Sequence, residues 1–143
     1  VWKKKRKINL DDLLYYNMAG NQVLTKKKYL IEVGGYDESL PAAQDYDLWI
    51  RLAERYGPII TVPKVLQDVY IEENRNRIST SPEKTKGYRA CFEKHKQKMN
   101  LQQIRYQEYR LHLAEGRNPG WIELFRSVPL RLLKKEVTRK LFL

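Results

Sequence analysis

Two carboxylates two positions apart, Asp45 and Asp47, stand where this sequence passes from a loop of small residues into an amphipathic run. A carboxylate at such a junction can do two things. It can accept hydrogen bonds from the unpaired amides of a first helical turn, where the positive end of the helix dipole also favours it. It can also serve as a general base, taking the proton from a hydroxyl as that oxygen attacks, if the hydroxyl comes within hydrogen-bond reach. A helix N-terminus stabilises the charged form of a carboxylate and so weakens it as a base, which favours the capping role. The small residues of the loop at 41–43 leave room for an acceptor molecule, which favours the base.

The elements that would position these carboxylates follow from residue spacing. Leu48, Trp49, Leu52, Ala53 and Tyr56 recur at helical intervals with Arg51, Glu54 and Arg55 between them, so 45–56 reads as an amphipathic helix with Asp45 as N-cap and Asp47 in the first turn. Ahead of it, Lys26 to Val33 reads as a helix with Tyr29, Leu30 and Val33 on one side, Thr25 as N-cap and Gly34 as the left-handed terminator. Gly35 adds a second glycine, whose missing side chain would let the backbone approach a ligand or another strand. Leu10, Leu13, Leu14 and Asn17 suggest a short first helix, followed by an extended segment at 22–25. Strands are expected at 58–62 and 65–71, the second bounded by Pro63 and the polar residues 72–76.

From Thr80 the chain reads as helical. Thr80-Ser81-Pro82-Glu83 has capping-box spacing with an early proline, opening a helix that places Tyr88, Phe92, His95 and Met99 on one face. A next helix puts Leu101, Ile104, Glu108 and Leu111 on one side and Tyr106, Tyr109 and Leu113 on another, until Gly116 and Asn118-Pro119-Gly120 break the run. Trp121, Leu124, Phe125 and Val128 mark a further helix. After Pro129, Leu130, Leu133, Val137 and Leu141 alternate with Arg131, Lys134, Lys135, Arg139 and Lys140. This last amphipathic stretch either packs on the domain or lies on an anionic membrane surface.

The ordered combination Gly34-Gly35-Tyr36-Asp37-Glu38, a short spacer, then Gln44-Asp45-Tyr46-Asp47-Leu48-Trp49 and Arg51 resembles the acceptor side of a family 2 glycosyltransferase of GT-A type. The resemblance covers residues 8–80 and weakens beyond. It implies an α/β fold: the C-terminal half of a GT-A type nucleotide-diphospho-sugar transferase domain at 1–80, followed by a mostly helical extension at 81–143. It further implies inverting transfer of a sugar from a nucleotide-diphospho-sugar donor to the hydroxyl of a saccharide or lipid-linked acceptor, as in bacterial cell-surface polysaccharide or glycolipid synthesis. Asp45 would be the catalytic base, with Gly34, Gly35 and Gln44 on the substrate side. A divalent metal, Mg or Mn, is implied too, its ligands lying mainly outside this chain with the donor-binding half and its Asp-x-Asp. Asp45-Tyr46-Asp47 is not that motif, because it opens a helix instead of following a buried strand. Relatives carry a histidine in the loop after the acceptor helix, where this sequence reads Tyr70 to Ser79, and Glu72, Glu73, Arg75 and Arg77 are the substitutes on offer.

Composition bounds the alternatives. With 143 residues, 42% of them hydrophobic, the chain can bury a core. Its net charge of +11 calls for an anionic partner, yet no zinc-finger spacing, helix-turn-helix pattern or aromatic RNA-binding signature accompanies it, so nucleic acid is not expected. The basic run Lys3 to Lys7 reads as a solvated connector. Cys91, the single cysteine, permits no internal disulfide and fits a reducing cytoplasm, as a buried inert thiol. His95 and His112, 17 positions apart, read as core or surface histidines and not as metal ligands. No segment reaches the roughly 20 apolar residues that span a bilayer. A cytoplasmic protein, peripheral on the inner face of a membrane and open to homo-oligomerisation, is the resulting expectation. The rival is a non-catalytic basic helical module that binds membranes or protein partners.

Overall fold

Residues 5–66 and 83–142 are described in the computed structural model of the chain. They fall in two compact units, Val1–Cys91 and Phe92–Leu143. Among the described residues the architecture is mostly helical, and the sheet expected of an α/β fold amounts to one antiparallel pair.

That pair joins β1 (Lys7–Ile8) to β2 (Ile59–Ile60), with Lys7 opposite Ile60 and Ile8 opposite Ile59. Thr61 extends the ladder, its N–H donating to the Arg6 carbonyl at 2.9 Å and its hydroxyl to the Lys5 carbonyl at 2.7 Å. The strand expected at 58–62 is therefore shorter, and its partner lies inside the basic run that reads as a connector. Lys5 is also engaged: its Nζ lies 2.6 Å from Asp12 Oδ2, a buried carboxylate that accepts the Asn9 N–H as well. Asp12 belongs to α1 (Leu10–Leu13), which ends before Asn17.

α2 (Lys27–Glu32) is capped by Lys26 and not by Thr25. Its end is a Schellman motif, in which the Gly34 N–H donates to the Ile31 carbonyl at 3.0 Å and the Gly35 N–H to the Leu30 carbonyl at 2.8 Å. Gly34 has φ +83° and Gly35 φ +66°, and a side chain on either would meet open space. Both glycines are thus explained by their left-handed backbone, without the close approach that the second suggests in the sequence.

α3 (Gln44–Tyr56) buries Tyr46, Asp47, Leu48, Trp49, Ile50, Leu52 and Ala53, so its early turns are enclosed on nearly every side. Tyr56, at the exposed end of the stripe, stacks on Tyr29 with ring centroids 4.0 Å apart. The helix begins one residue earlier than expected, and its N-cap is Ala43, a non-glycine at φ +64°. Val65 and Leu66 are exposed and outside any strand; the rest of the strand expected there, the Tyr70–Ser79 loop with Glu72, Glu73, Arg75 and Arg77, and the 80–82 part of the capping box lie outside the described residues.

α4 (Glu83–His95) carries Gly87 against the loop before α3, where an added Cβ would come within 2.5 Å of the Ala42 backbone. In the second unit a 3-10 turn (Lys96–Lys98) leads to α5 (Leu101–Ala114), opened by a reciprocal capping box between Asn100 and Gln103. α6 (Trp121–Ser127) and α7 (Leu130–Leu141) follow. The buried face of α5 carries Gln103, Tyr106, Gln107, Tyr109 and Leu111, while Leu101 is exposed. On α7 the buried residues are Leu132 and Glu136, whereas Leu130 and Leu141 of the expected stripe are exposed. The reason is polar: Glu136 Oε1 accepts the Tyr106 hydroxyl at 2.8 Å, and its Oε2 lies 2.6 Å from the Arg139 guanidinium. Burial pushes the neighbouring Tyr109 phenol up, with Arg139 opposing.

Tyr106→Phe keeps the ring and removes the donor to a buried carboxylate. It should lower stability by about 1–3 kcal/mol in denaturant unfolding; an unchanged midpoint would show that Glu136 needs no such donor. Gly87→Ala, which forces a methyl into the Ala42 backbone, should destabilise by about 1–3 kcal/mol, and a neutral result would contradict the close packing of α4 on that loop.

Candidate functional site

The opening turn of α3 separates its two carboxylates. Asp47 is 0% exposed, and its Oδ2 accepts the Arg51 guanidinium through Nε at 2.9 Å and Nη2 at 2.6 Å. Helical geometry puts residues four apart on one face, so the pair forms within the helix itself. Arg51 then reaches outward, donating to the Val33 carbonyl through Nη1 and to the Gly35 carbonyl at 2.7 Å through Nη2. Asp47 orients the guanidinium, and the guanidinium fastens the glycine loop to α3.

Asp45 is placed differently. It is the second residue of the helix, not its cap, and it is half-buried. Its Oδ2 accepts the Asn17 side-chain amide at 3.2 Å. No ion pair to Asp45 forms among the described residues. The same helix gathers the chain after α1: the Tyr46 hydroxyl donates to the Leu13 carbonyl, and the Trp49 indole N–H donates to the Gly20 carbonyl at 2.8 Å. Asn17 closes a turn there, its Oδ1 accepting the Gly20 N–H at 2.9 Å.

Of the other site candidates, Gly34 and Gly35 are drawn to α3 through Arg51, while the Gln44 amide turns back and donates to the Leu40 carbonyl at 2.8 Å. In the loop between, Ser39 donates through its N–H and hydroxyl to Asp37 Oδ1, and Tyr36 is exposed. Of the small residues at 41–43, Ala42 serves packing: it is 3% exposed and is covered by Gly87, so it does not itself open space for an acceptor. Ala43 holds a left-handed conformation that costs a non-glycine roughly 1–2 kcal/mol, directly before Gln44 and Asp45.

No group of three or more His, Cys, Asp and Glu side chains that could hold a metal ion is found among the described residues. His95 is buried, and His112 Nδ1 lies 2.8 Å from Glu123 Oε1. Cys91 is buried. The helical unit has an open cleft of about 480 Å³ whose lining includes Arg105, Ile122, Glu123 and Arg126. No helix among the described residues is long and apolar enough to cross a membrane.

The chain belongs to the glycosyltransferase-like family 2, which matches residues 7–116. It is 32% identical over 120 residues to the putative colanic acid biosynthesis glycosyl transferase WcaA of Escherichia coli K12, a match covering 82% of this chain and 43% of that protein. Uncharacterized glycosyltransferases of Rickettsia felis and Rickettsia conorii are 42% and 44% identical over 55 residues, 38% of this chain and 9% of theirs. The chain thus spans less than half the length of these relatives. No solved structure matches it.

Two residues at this site escape sequence reasoning. Arg51 falls between apolar stripe positions and closes the motif, but nothing in the sequence assigns it a partner. Asn17 reads as the end of a first helix, although its three-residue spacing from Gly20 is an Asn turn signal. The separation of roles has a measurable consequence. Asp47→Asn leaves Arg51 without its charge partner and should cost about 3–5 kcal/mol of stability, whereas Asp45→Asn should cost under about 1 kcal/mol. Equal losses in denaturant unfolding would contradict it.

Proposed function

We propose that the chain is the acceptor-side portion of a GT-A type domain that transfers a sugar, with inversion, from a nucleotide-diphospho-sugar to an acceptor hydroxyl in cell-surface polysaccharide or glycolipid synthesis. The observation that carries this reading is the contrast at α3: Asp47 is consumed by Arg51, and Asp45 is left half-buried with a neutral neighbour. A relative named for colanic acid biosynthesis supports a saccharide product.

In this reaction the acceptor oxygen attacks the anomeric carbon as its bond to the donor diphosphate breaks, and Asp45 takes the acceptor's proton. The Arg51-pinned loop fixes one wall of the acceptor site, which reduces the freedom lost on binding. The described residues do not assemble a metal cluster. The donor and its divalent metal are assigned mainly to residues outside this chain.

Asp45→Asn in the full-length enzyme tests the reading. Nucleoside diphosphate release from a panel of UDP- and GDP-sugars, with bacterial lipid extract as acceptor, should fall on the order of 10²- to 10⁴-fold with donor binding retained. Near-normal turnover would remove Asp45 from the chemistry and leave it a structural residue of α3.

A second reading, attachment to an anionic membrane surface, is favoured by a specific set of exposed residues. Trp121, Ile122 and Phe125 on α6 and Leu130, Leu141 and Phe142 on or beside α7 are exposed, among Arg126, Arg131 and Lys134. Apolar and aromatic side chains among cations are what an interfacial helix offers to anionic lipid. Replacing Trp121, Ile122 and Phe125 together by serine should weaken binding to phosphatidylserine vesicles at least tenfold, and added salt should weaken it further. Unchanged vesicle binding would reject this surface.

A further inference from the structure

We propose that Asn17 is a positioning residue for Asp45, holding its carboxylate by Oδ2 so that Oδ1 faces the acceptor hydroxyl. The inference rests on the reading of Asp45 as the base.

The Asn17 amide has no freedom to turn. Its backbone is pinned on both sides by α3, through Tyr46 to the Leu13 carbonyl and through the Trp49 indole to the Gly20 carbonyl. Its Oδ1 accepts the Gly20 N–H at 2.9 Å, so the oxygen must face that donor. Nδ2 is then left to donate, to Asp45 Oδ2 at 3.2 Å and, at the longer distance of 3.4 Å, to the Gly20 carbonyl. The orientation of the amide is dictated by the turn, and the turn is dictated by the helix that carries Asp45.

The chemistry of this neighbour suits a base. Arg51 beside Asp47 supplies a full positive charge and occupies that carboxylate permanently. Asn17 supplies one neutral hydrogen bond, enough to fix a rotamer while leaving the second oxygen to the acceptor. A short side chain that accepts from Gly20 on one atom and donates to Asp45 from another is what an amide provides. Aspartate could make only the first bond, and serine is too short to make the second while still able to close the turn.

Those two substitutions therefore separate positioning from turn formation. In the full-length enzyme, Asn17→Asp and Asn17→Ser should each lower kcat about 10- to 100-fold, the scale of one hydrogen bond to a charged group. KM for the UDP- or GDP-sugar should stay near that of the parent in both, and the thermal midpoint in Asn17→Ser, whereas Asn17→Asp sets a second carboxylate against Asp45 and should melt lower. In the Asp45→Asn background the same changes should cause no further loss, because Asn17 acts only through Asp45. Turnover within about twofold of the parent in both variants, or an equal additional loss in the Asp45→Asn background, overturns the proposal. If Asp45→Asn itself keeps full turnover, the base assignment is what fails; if it loses turnover while the Asn17 variants do not, the failure is confined to Asn17.

Discussion

The ion pair between Asp47 and Arg51 is the constraint on which the site depends. A fully buried carboxylate is tolerated only with a partner of good geometry, and Arg51 meets it with two nitrogens of one guanidinium. The same guanidinium collects the Val33 and Gly35 carbonyls, which a helix ending in two left-handed glycines turns toward it. Loop, helix end and α3 become one body. Removing either charge would leave the other buried and the glycine loop unfastened, so the motif's aspartate and arginine are coupled through packing before any substrate arrives.

This coupling frees the neighbouring carboxylate. Because Asp47 carries the structural load, Asp45 need not bridge elements, and one amide suffices to hold it. The strain at Ala43 fits the same arrangement: the left-handed residue directs the chain into α3 so that Gln44 turns back to the loop and Asp45 turns toward Asn17. Buried contacts around Tyr46 and Trp49 over-determine that conformation, which is how a sparsely populated backbone geometry persists.

Much of this was legible in the residues, and the remainder failed for physical reasons. Apolar spacing marks α3, and the glycine after Val33 marks the end of α2, because both are local properties. The job of Arg51 is set by carbonyls 16 and 18 residues away, and no local pattern distinguishes it from a solvated arginine. Ala42 looks like room for a ligand until Gly87 is brought onto it. β1 is hidden because two residues cannot display an alternation, and it lies in a run of lysines. On α7 the buried face turns toward Glu136 because Tyr106, 30 residues earlier, offers it a hydroxyl. Sequence periodicity counts apolar residues and passes over a buried acid.

Carboxylate footprinting would probe the division of labour most directly. The full-length enzyme, treated with a water-soluble carbodiimide and glycine ethyl ester and digested for mass spectrometry, reports how readily each aspartate reacts. Asp45 should be modified in the folded protein and shielded when acceptor lipid extract is present, while Asp47 stays unmodified until the protein unfolds. Labelling of Asp47 as fast as Asp45 in the native state, or an Asp45 whose labelling ignores the acceptor, would contradict the account.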